Sequence, residues 1–217
     1  MKCINRNVLL GFSILLCAIL FSSCISSYEA MQNNLGHYYT YKFGIKESKK
    51  NWKKSYFKDD IVAIDFSPNY NNVGMEIVNQ SSEIITVDWN KVVLEENDIK
   101  SNVLVWGSDL SQKHEVLPVN ILKPGQGIRT EIIPAEMIGY APKDSLADKN
   151  GYVIHQLYPD YDHKDDKESA IIMGLLGVEL FKIKIPITIH NQTLDYTFTF
   201  VPVEIERMPT SPLGKRR

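Results

Sequence analysis

The sequence predicts an all-β fold, an antiparallel β-sandwich of about seven to nine strands. Three observations carry that expectation. From Ile61 onward, apolar and polar residues alternate with a period close to 2, and the apolar positions are rich in Val and Ile. Turn-forming Asn, Gly, Pro and Ser clusters punctuate those runs at regular intervals. No stretch longer than about ten residues keeps a helical period. The 217 residues are 44% hydrophobic, 10% aromatic and 23% charged, too apolar for a disordered chain and enough for one ordinary domain with appendages.

The strands follow in order. Ile61–Phe66 is the first candidate, closed by Ser67-Pro68-Asn69 and the Asn71-Asn72 turn. Val73–Val78 follows, and then Asn79-Gln-Ser-Ser82 as a turn. Ile84–Trp89 places Ile85, Val87 and Trp89 on one face, with Thr86 and Asp88 on the other. Val92–Glu95, Val103–Trp106 and Val116–Ile121 are shorter candidates, and Trp89 and Trp106 are both expected to fill the core. Pro124-Gly125-Gln126-Gly127 is a turn that leads into Ile128–Ile133. The clearest hairpin comes last. Phe181, Ile183, Ile185, Ile187 and Ile189 share a face, and the chain returns through a turn around Asn191-Gln192 into Leu194–Ile205, where Tyr196, Phe198 and Phe200 alternate with Thr197, Thr199 and Val201. Pro186 and Pro202 require an edge or a bulge at their positions.

Residues 141–169 break this rhythm with a polar, acidic and aromatic stretch, interrupted only by Gly151–Leu157. A loop of that length is usually functional or disordered, and Tyr158, Asp160, Tyr161, Asp162 and His163 are its candidate partner-binding residues. Upstream, Lys42 to Lys58 holds seven lysines against Glu47 alone, interleaved with Tyr and Trp. Two readings stand for this segment: a solvated stalk, or a strip lying on anionic lipid. Residues 207–217, with two prolines and a basic end, read as a frayed tail.

The N-terminus reads as an address. Lys2 and Arg6 precede Val8–Phe21, 14 residues without a charge, which is short for a bilayer span and right for the apolar core of a secretory signal. All three cysteines (Cys3, Cys17, Cys24) lie in the first 24 residues, which excludes a disulfide framework or a cysteine–zinc site in the main domain. Leu20-Phe21-Ser22-Ser23-Cys24 resembles the lipobox of bacterial lipoproteins. Ser22 and Ser23 match the small residues before the motif's cysteine; Phe21 departs from the usual Leu, which here is Leu20. The resemblance implies cleavage before Cys24, acylation of that residue, and membrane attachment through its acyl chains. Each buried methylene contributes about 0.8 kcal/mol, so two or more chains anchor stably. Ile25 is not the aspartate that retains some lipoproteins at the inner membrane, so the resemblance leans towards the outer membrane. A generic signal peptide and a short anchor are the alternatives.

A second resemblance runs through residues 56–140. Tyr56-Phe57-Lys58-Asp59-Asp60-Ile61, Val78-Asn79-Gln80-Ser81, Ile85–Trp89, Pro124-Gly125 and Ile133-Pro134 are similar to a pattern in small uncharacterised bacterial lipoproteins. It implies an immunoglobulin-like sandwich and brings no activity. The resulting division is 1–23 signal peptide, 24–57 lipidated N-terminus and basic tether, 58–206 β-sandwich with the 141–169 loop, and 207–217 tail.

Catalytic signatures are sparse. No G-x-S-x-G, H-E-x-x-H, P-loop or G-x-G-x-x-G pattern occurs. Asp160, Asp162 and Asp165 supply hard oxygens, but without EF-hand spacing or its glycine, and Lys164 and Lys167 compete with a cation. His37, His114, His155, His163 and His190 are scattered, with His155 and His163 the one conceivable zinc pair. Asn79-Gln-Ser81 and Asn191-Gln-Thr193 read as turns. A net charge of −2 gives no reason to expect nucleic acid. The expectation is a non-catalytic, lipid-anchored envelope module with no cofactor or metal, binding an envelope protein or surface ligand. The alternatives are an envelope hydrolase or metal-dependent enzyme using the 141–169 loop, and a secreted sandwich without lipid.

Overall fold

The computed structural model describes residues 37–47, 54–96, 98–144, 146–162 and 165–209. The stretch read as a signal peptide, Cys24, His163 and residues 210–217 lie outside them. The elements in chain order are β1 (His37–Ile45), β2 (Tyr56–Lys58), β3 (Val62–Pro68), β4 (Val73–Asn79), β5 (Ile85–Asp88), β6 (Val93–Glu96), β7 (Ile99–Val105), β8 (Val119–Leu122), β9 (Gly127–Pro134), β10 (Ile138–Tyr140), β11 (Tyr152–Ile154), β12 (Tyr161–Asp162), α1 (Asp166–Met173), β13 (Phe181–Ile189) and β14 (Gln192–Pro209). Two compact units result. The larger is Thr40–Asp160 with Ile171–Glu206; the described part of the smaller is 37–39, 161–162, 165–170 and 207–209.

The all-β expectation holds, and the pairings β1–β12, β10–β11, β13 with β14, β5 and β6, β2–β3, β3–β4, β4–β9, β5–β8, β6–β7 and β7–β9 are antiparallel. In the larger unit the strands form one hydrogen-bonded path, β1-β14-β13-β6-β7-β9-β4-β3-β2, with β5 and β8 branching from β13. The path turns a corner inside β7. Ile99–Asn102 pair with β6, whereas Val103–Val105 pair with β9, so one strand serves two layers. Across the core Phe66 of β3 meets Phe198 and Phe200 of β14 at 4.9 and 5.1 Å between ring centroids, and Phe57 of β2 meets Phe198 at 5.2 Å. The far ends are stitched together. Ile45 N–H donates to the Lys54 carbonyl (3.1 Å) and Phe66 N–H to that of Ser55 (2.8 Å), while Ser55 Oγ donates to the Phe43 carbonyl (2.6 Å). The sheet is therefore nearly closed, a continuous path where the sequence suggested a sandwich.

The β13–β14 hairpin shows why alternation was readable. Phe181, Ile183, Ile185 and Ile187 are buried on one face, opposite Phe200, Phe198, Tyr196 and Leu194. Its turn is His190-Asn191, one residue earlier than expected, with φ of +48° and +63° between the paired Ile189 and Gln192. Two successive left-handed residues give the type I′ twist that a two-residue hairpin requires. On its other side β13 pairs with β6 through Phe181–Lys184 and with β5 through Ile187–Ile189. Pro186 sits in the gap between them, where a missing N–H leaves no ladder bond unmade.

Two structured segments differ from expectation. β1 and most of β2 lie inside the stretch read as a tether: Tyr39, Phe43 and Ile45 are buried in β1 while Lys42 and Lys46 are exposed, and the lysines concealed an alternating strand. The 141–169 stretch contains β11, β12 and the start of α1, with Asp166 and Glu168 in the helix's first turn, where acidic side chains suit the positive end of its dipole. Trp106 corrects another expectation: it is 68% exposed, while Trp89 is buried and donates from Nε1 to Asn120 Oδ1 (2.6 Å).

The turn at Asn79 holds three strand ends of the larger unit. Its buried side chain donates from Nδ2 to the Glu83 and Leu122 carbonyls (2.7 and 2.9 Å) and accepts at Oδ1 from Ser81 N–H and Oγ (2.9 and 2.7 Å). Its own N–H donates to the Gln126 carbonyl, and its carbonyl accepts from Gly125 N–H. Gly125 adopts φ +74°, which the Pro-Gly turn needs and a β-carbon would disfavour.

Candidate functional site

The densest polar cluster of the smaller unit surrounds Asp162. β12 pairs with the start of β1, His37 opposite Asp162 and Tyr38 opposite Tyr161, and this register carries the Asp162 carboxylate inward to zero exposure. Oδ1 accepts from the His37 backbone N–H at 2.9 Å, and Oδ2 accepts from Tyr39 Oη at 2.8 Å and Arg207 Nη2 at 3.1 Å. Arg207 also reaches His37 Nδ1 at 3.1 Å and Asp166 at 3.5 Å. Burial alone would push the Asp162 carboxyl up; the Tyr39 hydroxyl, the Arg207 charge and the His37 N–H outweigh it and hold the group below the usual carboxylate range. The Tyr39 phenol is raised, chiefly by burial and further by its bond to Asp162. An ionised carboxylate with donors on both oxygens suits a structural clasp better than proton transfer or cation capture.

The other candidate loop residues are dispersed. Tyr158, in the larger unit, is 8% exposed, its ring 4.6 Å from that of Tyr41 and 4.9 Å from that of Phe43. Burial raises its phenol pKa strongly. Asp160 is buried and accepts from Gln156 Nε2, while Tyr41 Oη donates to the Pro159 carbonyl. Tyr158, Asp160 and Asp162 thus point inward, where an exposed loop was expected, because the segment's aromatic and acidic residues find partners in β1 and in neighbouring side chains. Tyr161 contributes its backbone to β12. Among the described residues no three acidic, histidine or cysteine side chains converge as a metal site.

One concavity combines apolar walls with charge. Leu94, Ile99, Pro134 and Met137 line a groove of about 290 Å³, with Glu96, Ser101 and Glu136 among them. The β6–β7 turn forms one side, with Asp98 at φ +64°, and the end of β9 forms the other. Ser101 Oγ accepts from Glu136 N–H (3.1 Å) and donates to the Asn102 carbonyl (2.8 Å), which ties the walls together. Burial raises the Glu96 carboxyl. The groove matches a small apolar body with a cationic or hydrogen-bond-donating head, near the lower size limit of ligand sites. No motif announced it, because its residues come from three strands and their connections.

No family model matches the chain, and no curated protein does. Among solved structures the chain is similar to the Bacillus subtilis protein YcdA, described as a "putative lipoprotein", at 16% identity over 57% of this chain and 43% of that one, with a TM-score of 0.30. The likeness spans less than half of the B. subtilis protein, and at that TM-score it carries no argument.

Proposed function

We propose that the chain is a bacterial envelope lipoprotein: residues 1–23 are removed, Cys24 is acylated, and a nearly closed β-module is held at a membrane as a non-catalytic binding or structural unit. The observation that carries this reading is the uncharged run Val8–Phe21 ending in Ser22-Ser23-Cys24. Among the described residues no helix is long and apolar enough to cross a membrane. Outer-membrane placement, from Ile25, belongs to the same proposal, and the Glu96–Glu136 groove is its ligand-facing feature.

The test is metabolic labelling of growing cells with a palmitate analogue, wild type against Cys24→Ala, with the mature N-terminus determined by mass. Label lost in the variant and a mature chain starting at acylated Cys24 is the expected result. An unlabelled wild-type chain with another start overturns the reading.

A further inference from the structure

The groove beside the β6–β7 turn exists because β7 changes layers. Among the described strands Ile99–Asn102 pair with β6 alone, and β9 joins β7 only from Val103 onward. Opposite Val103, β9 ends at Pro134 and the single turn Ala135–Met137 follows, which leaves a concavity against the start of β7.

Strand register decides which side chains face it. Leu94 lies opposite Ser101 and Glu96 opposite Ile99, so these four share one face of the hairpin. The other face carries Glu95, which is opposite Lys100 on one side and Lys182 on the other, with carboxylate–ammonium separations of 4.0 and 3.9 Å. The hairpin thus pairs its acid on one face and leaves an acid unpaired on the other. Among the described residues no cation or side-chain donor meets the carboxylates of Glu96 and Glu136, and no Lys, Arg or His lines the groove. Burial makes Glu96 costly to ionise, and no neighbouring charge offsets that cost.

The lining selects a ligand class by elimination. Two carboxylates repel an anion. A quaternary ammonium asks for aromatic faces, and the groove has none. A divalent cation of the calcium type asks for six or more oxygens, which two carboxylates among aliphatic walls do not supply. A primary ammonium on an aliphatic stem meets both halves of the site, with N–H donors for the acids and methylenes for the walls. The volume of about 290 Å³ lies near the lower limit of ligand sites and suits a short molecule.

We propose that this groove binds a small primary alkylamine, its ammonium held by Glu96 and Glu136 and its chain laid on Leu94, Ile99, Pro134 and Met137. This rests on the binding-module reading and names the ligand class of its groove.

The test is calorimetric titration of the full-length protein in uncharged detergent with n-pentylamine, 1-pentanol and N,N,N-trimethylpentylammonium. Wild type is compared with Glu96→Gln and Glu136→Gln, each checked by thermal melting. Glu96→Gln keeps the side chain's shape and removes an unpaired charge, so it is expected to melt no lower than wild type. The expected result is saturable 1:1 binding of pentylamine that either variant weakens by about tenfold or more, with pentanol and the trimethyl ion weaker by a similar factor. Pentanol binding as tightly as pentylamine, or pentylamine binding unchanged in Glu96→Gln, overturns the ammonium site. Absence of pentylamine binding to the wild type overturns it too, and a lysine peptide that then binds in a Glu96-dependent way assigns the groove to a protein partner instead. None of these results touches the lipoprotein reading, which falls separately if Cys24 carries no acyl chain.

Discussion

Replacing Asn79 by alanine is the most direct test of how the strand ends are held. The variant keeps the backbone bonds of residue 79 to Gly125 and Gln126 but deletes four side-chain bonds, all 2.7–2.9 Å long. A buried hydrogen bond contributes about 0.5–1.5 kcal/mol net, so the loss is about 3–4 kcal/mol, including the cost of the stranded Leu122 carbonyl. In a chain of this size that corresponds to a melting shift of about 6–15 °C. Ser81→Ala, which acts at a more exposed edge, is expected to lose about 1 kcal/mol. Asn79→Asp retains the shape and the Ser81 contacts but turns an acceptor towards two carbonyl oxygens; it is expected to be severely destabilised at pH 7 and to recover partly as acid protonates it. Urea unfolding with a shared m-value measures all three. An Asn79→Ala loss below about 1 kcal/mol, or an Asn79→Asp variant as stable as wild type at pH 7, refutes the reasoning.

Two further outcomes follow from the same geometry. Phe198→Ala removes a 1%-exposed ring packed on Phe57 and Phe66 and is expected to cost about 3–5 kcal/mol in urea unfolding; a loss under about 1 kcal/mol contradicts the face assignment. Asp162, whose folded-state pKa is lowered, contributes stability that is fully present above the unfolded carboxylate value of about 3.9 and is lost as pH falls through the lower folded value. The wild-type minus Asp162→Asn difference in unfolding free energy is therefore expected to stay flat from neutrality to about pH 5 and to shrink below about pH 4, and a difference constant down to pH 2 contradicts it.

Much of the fold was legible because one face of many strands is wholly buried. Ile183, Ile185 and Ile187 at zero exposure leave a period-2 trace that no charge interrupts. β1 was hidden because Lys42 on its outer face and Lys46 just past its end fed a charge count while Tyr39, Phe43 and Ile45 did the packing. Trp106 misled for the opposite reason: its apolar bulk suggested the core, and it lies just beyond the end of β7, in solvent. The stretch read as a loop holds β11, β12 and the start of α1, and the inward direction of Tyr158, Asp160 and Asp162 depends on partners such as Tyr41, Tyr39 and Arg207, which no spacing announces.

Alternation, turn chemistry and the apolar run Val8–Phe21 are local properties, read from residues near one another in the chain, and they carry the all-β class, many of the strands and the resemblance to an exported, acylated chain. Register and closure are not local. That β7 serves two layers, that Pro186 falls between β6 and β5, and that Asp162 meets Arg207 across 45 positions follow from strands meeting after long excursions of chain. The free energy that selects those meetings comes from burying one shared core and satisfying every peptide group around it, a condition on the whole molecule that no single stretch of sequence carries.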